Sequence, residues 1–241
     1  MDFKIIYEDG SVLAIDKPAG IVVFPEGTLR RRSGQAREKT LIDYLVDKNP
    51  ELKNVGERPR YGAVHRLDKD TSGILLVAKR EEALIFLQKQ FKNREAEKKY
   101  IALATGEMKN NEGRIETLIA RSPADPRKQK TYLLGEKAPK NAREAITEYK
   151  VLERFQDYTL IEVSIKTGRK HQIRCHLSYI HHPIAGDKAY GFKDSPVPEG
   201  LLRQFLHASY LKVKLPSGQL KEFNSELPED FKKIIKNLGK I

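Results

Sequence analysis

Apolar positions recur along this chain with two periods, near two and near 3.6 residues, and the switches between them predict its elements. Residues 4–7 and 12–16 read as short strands joined by the turn Glu8-Asp9-Gly10-Ser11. Lys17-Pro18-Ala19-Gly20 stops the second strand, because proline has no N–H to give to a ladder. Residues 21–24 are a further apolar piece, read as extended. A helix begins at Thr40, carries Leu41, Ile42, Leu45 and Val46 on one face and ends at Asn49-Pro50. The unbroken run 74–79 suits a buried strand, and 81–92 a helix whose stripe Leu84, Leu87, Phe91 packs into the core. Glu81 and Glu82 open that helix and Lys92 and Arg94 close it, each where the helix dipole favours its sign.

Further on, 100–104 reads as a strand, and 113–115 with 117–119 as a strand pair followed by a basic loop, 121–130. Residues 145–152 and 159–165 alternate, with Ile161, Val163 and Ile165 set against Glu162 and Ser164, as half-buried strands of an antiparallel sheet do. Gly168 breaks the second of these, and 172–180 becomes a helix with Ile173, Leu177 and Ile180 on its inner face. A strand at 210–215 and a helix at 228–237 close the chain. Strands outnumber helices and do not alternate with them regularly, so an α+β fold is expected rather than a doubly wound parallel one.

Chemistry concentrates in one stretch, Tyr61-Gly62-Ala63-Val64-His65-Arg66-Leu67-Asp68-Lys69-Asp70-Thr71-Ser72-Gly73. A basic pair and two carboxylates precede Thr-Ser-Gly, whose hydroxyls hydrogen-bond backbone and whose glycine is free to take a positive φ. This presents Asp68 on a tight loop at the mouth of a buried strand; taken alone, the same residues also fit a solvated turn. Charge sharpens the picture. The 241 residues hold 45 Lys and Arg against 33 Asp and Glu, a net +12, which points to a polyanionic partner because phosphate contacts by Lys and Arg supply sequence-independent affinity. At 39% hydrophobic the chain has the material for a core. The single Cys175 excludes an internal disulfide framework and fits a reducing cytoplasm. No apolar run approaches the ~20 residues of a membrane span, and no signal peptide is evident. Residues 28–39 are basic and poor in apolar positions, fitting either an RNA-backbone contact that is mobile until bound or a solvated linker.

His65-Arg66-Leu67-Asp68 followed by Thr71-Ser72-Gly73 resembles the signature of the RluA family of pseudouridine synthases. Lys99-Tyr100-Ile101-Ala102, Thr167-Gly168-Arg169-Lys170-His171-Gln172-Ile173-Arg174 and Pro183-Ile184-Ala185-Gly186-Asp187-Lys188-Ala189-Tyr190-Gly191 resemble its further motifs in the same order. The opening, Tyr7-Glu8-Asp9 through Lys17-Pro18-Ala19-Gly20, also resembles the family's start, so the likeness runs over about residues 5 to 215. It implies one catalytic domain over 1–241, with a bent, mixed, mainly antiparallel central sheet, flanking helices and loops, and an RNA-binding cleft.

The implied reaction breaks the C1′–N1 bond of a uridine in ribosomal or transfer RNA, turns the base and rejoins it through C5. Nothing is gained or lost, so no cofactor or metal is required. A carboxylate can add to an electrophilic carbon and leave again. By resemblance Asp68 is that group, whether it attacks ribose C1′, attacks uracil C6 or strips a ribose proton. Arg174 matches the family's cation beside the acid, where an adjacent positive charge offsets the effect of burial on a carboxylate. Tyr100 matches the phenol that stacks on uracil and serves as acid or base. Arg66 matches the residue linked with filling the gap left when a base leaves its stack. Thr71, Arg169, His171 and Ile173 are expected to contact RNA or the flipped uridine. The implied enzyme acts as a monomer in the cytoplasm.

The chain departs from the family pattern at several places. Phe24 stands where a His is common, Cys175 where an aliphatic residue is usual, and His181-His182-Pro183 where Gly-His-Pro is typical. The family-like segment starts near residue 5, which leaves no expected room for the N-terminal S4-like domain of many members. His171 and Cys175 share a helix face without a matching ligand pair elsewhere, so zinc is not expected. Two rivals stay open on sequence alone: a non-catalytic RNA-binding protein of the same fold, and a phosphate-ester hydrolase, although the chain lacks a Gly-x(4)-Gly-Lys-Ser/Thr loop.

Overall fold

The computed structural model describes residues 3–25 and 38–239; most of the basic segment 28–39 lies outside them. In chain order the strands begin with β1 (Lys4–Glu8), β2 (Val12–Lys17), β3 (Ser72–Ala78), β4 (Glu97–Thr105) and β5 (Glu112–Arg121). They continue with β6 (Gln129–Tyr132), β7 (Arg143–Phe155), β8 (Tyr158–Ile165), β9 (Leu206–Lys214) and β10 (Leu220–Asn224). The helices are α1 (Leu41–Lys48), α2 (Glu81–Lys92), α3 (Gln172–Tyr179) and α4 (Glu229–Asn237). β1 with β2, β2 with β3, β4 with β8, β5 with β6, and β7 with both β5 and β8 all pair antiparallel, and the α+β expectation holds. Among the described residues no helix is long and apolar enough to cross a membrane.

The chain divides into two compact units. The first holds residues 1–96 and 211–225. In it β2 lies between β1 and β3, with Lys17 opposite Gly73 and Val12 opposite Ala78. One core cluster joins Val12 and Ala14 of β2, Ile74, Leu76 and Ala78 of β3, Leu84 and Leu87 of α2, and Val213 and Phe223 from the returning chain. Phe91, the third member of the predicted stripe, packs against the same cluster only partly buried. Thr40 caps α1 in a capping box: Asp43 N–H donates to its hydroxyl at 3.3 Å and Thr40 N–H to the Asp43 carboxylate at 2.8 Å. Residues 21–24 are not a strand. The carbonyls of Val22 and Val23 accept the Leu41 and Ile42 N–H groups at 2.9 and 3.1 Å, so this backbone serves the start of α1 instead of a ladder.

The second unit holds residues 97–210 and 226–241. Its strands run in the order β4-β8-β7-β5-β6. The strand pair read at 113–115 and 117–119 is one continuous strand, β5, paired with β7 from Glu112↔Lys150 to Ile119↔Arg143. Its outward Glu116 interrupts the apolar pattern without interrupting the backbone. The basic loop after it is shorter than expected, because Gln129–Tyr132 returns as β6. α3 stands over β6 and β7 and is tied down through His176, whose two ring nitrogens lie 2.9 Å from Thr117 Oγ1 and 2.8 Å from Thr147 Oγ1.

Candidate functional site

In the first unit the segment carrying Asp68 is fixed on both sides. Upstream, Gly62 sits at φ +69°, its carbonyl accepts Ala78 N–H at 2.7 Å, and a Cβ there would run into the Ala78 carbonyl. Ala63 bridges to Val77. His65 accepts the Leu76 N–H on Nε2 at 3.1 Å and stacks on Phe91 with ring centres 4.7 Å apart. Its role is to anchor the segment to β3. Leu67 is buried and Asp68 half-buried, so the chain inserts one side chain and leaves the next accessible. Downstream, Thr71 N–H donates to the Asp68 carbonyl at 3.2 Å, Thr71 and Ser72 are buried, and Gly73 takes φ +114°, the conformation its turn chemistry predicts.

A further hold on this loop comes from Lys17, whose side chain is fully buried. Its ammonium donates to the carbonyls of Pro18 at 2.8 Å, Ile21 at 2.9 Å and Lys69 at 3.0 Å. Gly20 N–H reaches the same Lys69 carbonyl at 2.9 Å. The Lys-Pro-Ala-Gly turn is thereby fastened to the residue directly after Asp68. A buried ammonium is tolerated because each proton finds an oxygen. Arg66, two residues before Asp68, stands with its guanidinium carbon 5.0 Å from the centre of the Phe24 ring.

In the second unit Tyr100 lies on β4 opposite Val163 and is buried. Lys98 is on the same face of β4 two residues earlier, also buried, and burial pulls its ammonium down to about 8. Arg174 sits in the first turn of α3, 8% exposed, with Asp187 as a bidentate partner: Nε to Oδ2 at 2.7 Å and Nη2 to Oδ1 at 2.9 Å. Burial alone would raise the Asp187 carboxyl. The Arg174 hydrogen bonds and charge, with the N–H groups of Ala189 and Tyr190, outweigh that and hold it below the usual carboxylate range.

The Tyr190 ring lies under the same guanidinium, 5.1 Å from its carbon. Its hydroxyl accepts Gln129 N–H at 2.6 Å and lies 3.0 Å from Nδ1 of His171. Burial pushes that phenol well above its ordinary pKa.

The sequence-predicted site residues therefore fall in three places, one in the first unit and two in the second. Arg66, Asp68 and Thr71 share the first unit's loop; Tyr100 stands on β4; and Arg169, His171, Ile173 and Arg174 cluster where the 167–171 turn enters α3. Arg169 spends its Nε on the Glu144 carbonyl at 2.9 Å, which fixes the turn to β7. Ile173 is buried. His171 takes φ +54° at the helix start, a left-handed conformation uncommon outside glycine that asparagine, aspartate and histidine adopt more readily than other side chains. Reasoning from sequence gave no role to Lys17, Asp187 or Tyr190, although all three lie in segments that carry the family likeness. The signal was present at Asp187, an acid 13 positions after a basic residue in a second motif, but only coordinates pair the two. Among the described residues no group of three or more His, Cys, Asp or Glu is placed to hold a metal ion.

A family model described as RNA pseudouridylate synthase matches residues 11–179. An uncharacterized RNA pseudouridine synthase of Aquifex aeolicus is 40% identical over 96% of this chain and 71% of its own length. The ribosomal large subunit pseudouridine synthase D of Nitrosomonas europaea is 40% identical over 96% of this chain and 64% of its own. Among solved structures, human RNA pseudouridylate synthase domain containing 1 superposes with a TM-score of 0.74 at 26% identity, covering 94% of this chain and 84% of that one. With the motif-bearing segments held as described, the match makes the chain a member of the RNA pseudouridylate synthase family, isomerases that act on RNA.

Proposed function

We propose that this chain converts uridine to pseudouridine in the RNA of the large ribosomal subunit, with residues 1–241 working as one catalytic domain in the cytoplasm. The substrate follows that of relatives such as the ribosomal large subunit pseudouridine synthase D of Nitrosomonas europaea. Asp68 is the reactive carboxylate. It forms a bond to, or takes a proton from, the flipped nucleotide and is released at the end of each turnover. In the net reaction C1′–N1 breaks, C1′–C5 forms, the C5 proton is lost and N1 takes one up. Atoms and charge balance without a cofactor, and the protein acts as a monomer with no metal.

Tyr100 is the phenol that stacks on uracil and exchanges protons with it, and Arg174 supplies the cation an ionised acid needs when water is excluded. Arg66 fills the place of the extruded base. Thr71, Arg169, His171 and Ile173 complete the contacts to the nucleotide. What supports this reading above all is the way Lys17 and Gly20 grip the carbonyl next to Asp68, leaving that acid half-buried on a loop of fixed path.

The test incubates the wild-type protein and Asp68→Ala with unmodified large-subunit ribosomal RNA, then maps pseudouridines, with and without a chelator. Wild type should convert at least one uridine in either condition, and Asp68→Ala should be slower by about a thousandfold or more. A variant that keeps its rate would remove Asp68 from the chemistry.

A further inference from the structure

Arg66 does not stand alone over Phe24. The guanidinium carbon of Arg60 lies 5.2 Å from the same ring centre, against 5.0 Å for Arg66. Two like charges gathered at one point repel, and the ring that both approach accounts for their meeting. It is 6% exposed, its face carries the negative end of the aromatic quadrupole, and guanidinium is the cation that sits best over such a face.

Three separately anchored pieces of chain bring this about. Phe24 follows Val22 and Val23, whose carbonyls are taken by the first N–H groups of α1. Arg60 sits in a turn closed on both sides, its N–H donating to the Glu57 carbonyl and its carbonyl accepting from Ala63, each at 2.8 Å. Arg66 lies between His65, pinned by Leu76 N–H, and the buried Leu67. A ring that merely filled core space would call for no arginine beside it, and Arg60 is otherwise exposed.

We infer that Phe24 is a positioning residue that holds Arg60 and Arg66 as a paired RNA contact. Arg60 binds backbone phosphate, and Arg66 is kept at the height from which it replaces the extruded base. The inference rests on the role proposed for Arg66 and adds two residues to it, one of them at a position where this sequence departs from its family's pattern. A phenylalanine there stays uncharged at every pH, so it never competes with the two cations it supports.

The experiment uses the full chain and the RNA fragment around a uridine that the wild type modifies, once folded and once as a single-stranded oligonucleotide with that uridine already unstacked. Phe24→Leu keeps the apolar volume and removes the ring face. Its kcat/KM on the folded fragment should fall about three- to thirtyfold, the span of a lost cation–π contact, while on the unstacked oligonucleotide it should change by less than about twofold. Phe24→Tyr, which keeps the ring, should restore the folded-fragment rate. An equal loss on both RNAs, or no loss, overturns the positioning role.

If Phe24→Leu does not fold, Arg60→Gln carries the test through equilibrium binding, since it leaves the ring in place. The slope of log affinity against log salt should drop by about one. An unchanged slope overturns the pairing. Failure of the underlying enzymatic reading has a different signature: Asp68→Ala would then match wild type, whatever the Phe24 and Arg60 variants do.

Discussion

Around Asp68 several of the contacts that fix the loop's path end on backbone groups: the Lys17 ammonium and Gly20 N–H on the Lys69 carbonyl, Thr71 N–H on the Asp68 carbonyl, Ala78 N–H on the Gly62 carbonyl. Around Arg174 they run from side chain to side chain: the Asp187 carboxylate, the Tyr190 ring, and two residues along α3 the His176 ring between two threonines. Backbone contacts set the path of a loop through its carbonyls and N–H groups, and Lys69 and Asp70 on it are exposed. Side-chain contacts set the aim of one group and depend on the identity of each partner. The loop that carries Asp68 leans on backbone carbonyls, and Arg174 on a few particular side chains.

The sharpest way to break this contrast is Asp187→Ala. It removes one partner of a buried bidentate pair, and a loss of about 3–5 kcal/mol in urea unfolding is expected together with loss of activity. A double-mutant cycle with Arg174→Gln should return most of the cost as coupling, and additive losses would show that Asp187 acts elsewhere.

Next comes acid. Burial lowers the His176 ring to about 4 against 6.5 when unfolded, so between those values the unfolded chain takes up a proton that the folded chain refuses. Stability is complete above pH 6.5 and falls by about 3 kcal/mol as pH drops toward 4. His176→Gln should flatten that slope, and a slope that survives the substitution assigns it to another group. The depressed Asp187 adds its own loss only at lower pH, below the ordinary carboxylate value of 3.8.

The smallest effect belongs to Lys17→Met. Three carbonyls lose their donor, but the cost of burying an ammonium disappears as well, leaving a net loss of about 2 kcal/mol. Hydrogen exchange should quicken in the Asp68 loop and not in α3, and uniform quickening would erase the distinction between the two modes of support.

Much of this was legible in the order of the residues. α2 announced itself by the Leu84 and Leu87 spacing and by charges suited to its dipole, and its bounds agree with the reading from sequence. α1 did so through the Thr40 cap. Residues 21–24 misled because apolar character predicts burial without saying where the carbonyls go; Val23 is fully buried, yet its backbone caps a helix. β5 was read as two pieces because an exposed Glu116 looks, in one dimension, like a break. Lys17 was hidden for the opposite reason. A lysine at a strand end reads as solvated, and its burial depends on three carbonyls gathered from residues 18, 21 and 69. The motif residues were visible, while the groups that steady them were not, because steadying is a long-range property.

One practical outcome lies in Cys175, the sole thiol of the chain. It is buried against Thr131, 2.9 Å from its hydroxyl, and burial raises its pKa, so almost none of it is thiolate at neutral pH. Alkylating reagents should pass it by in the native protein. A cysteine placed on an exposed turn could therefore carry a fluorophore or spin label at a single address, with the natural residue left in place as a silent reporter of unfolding.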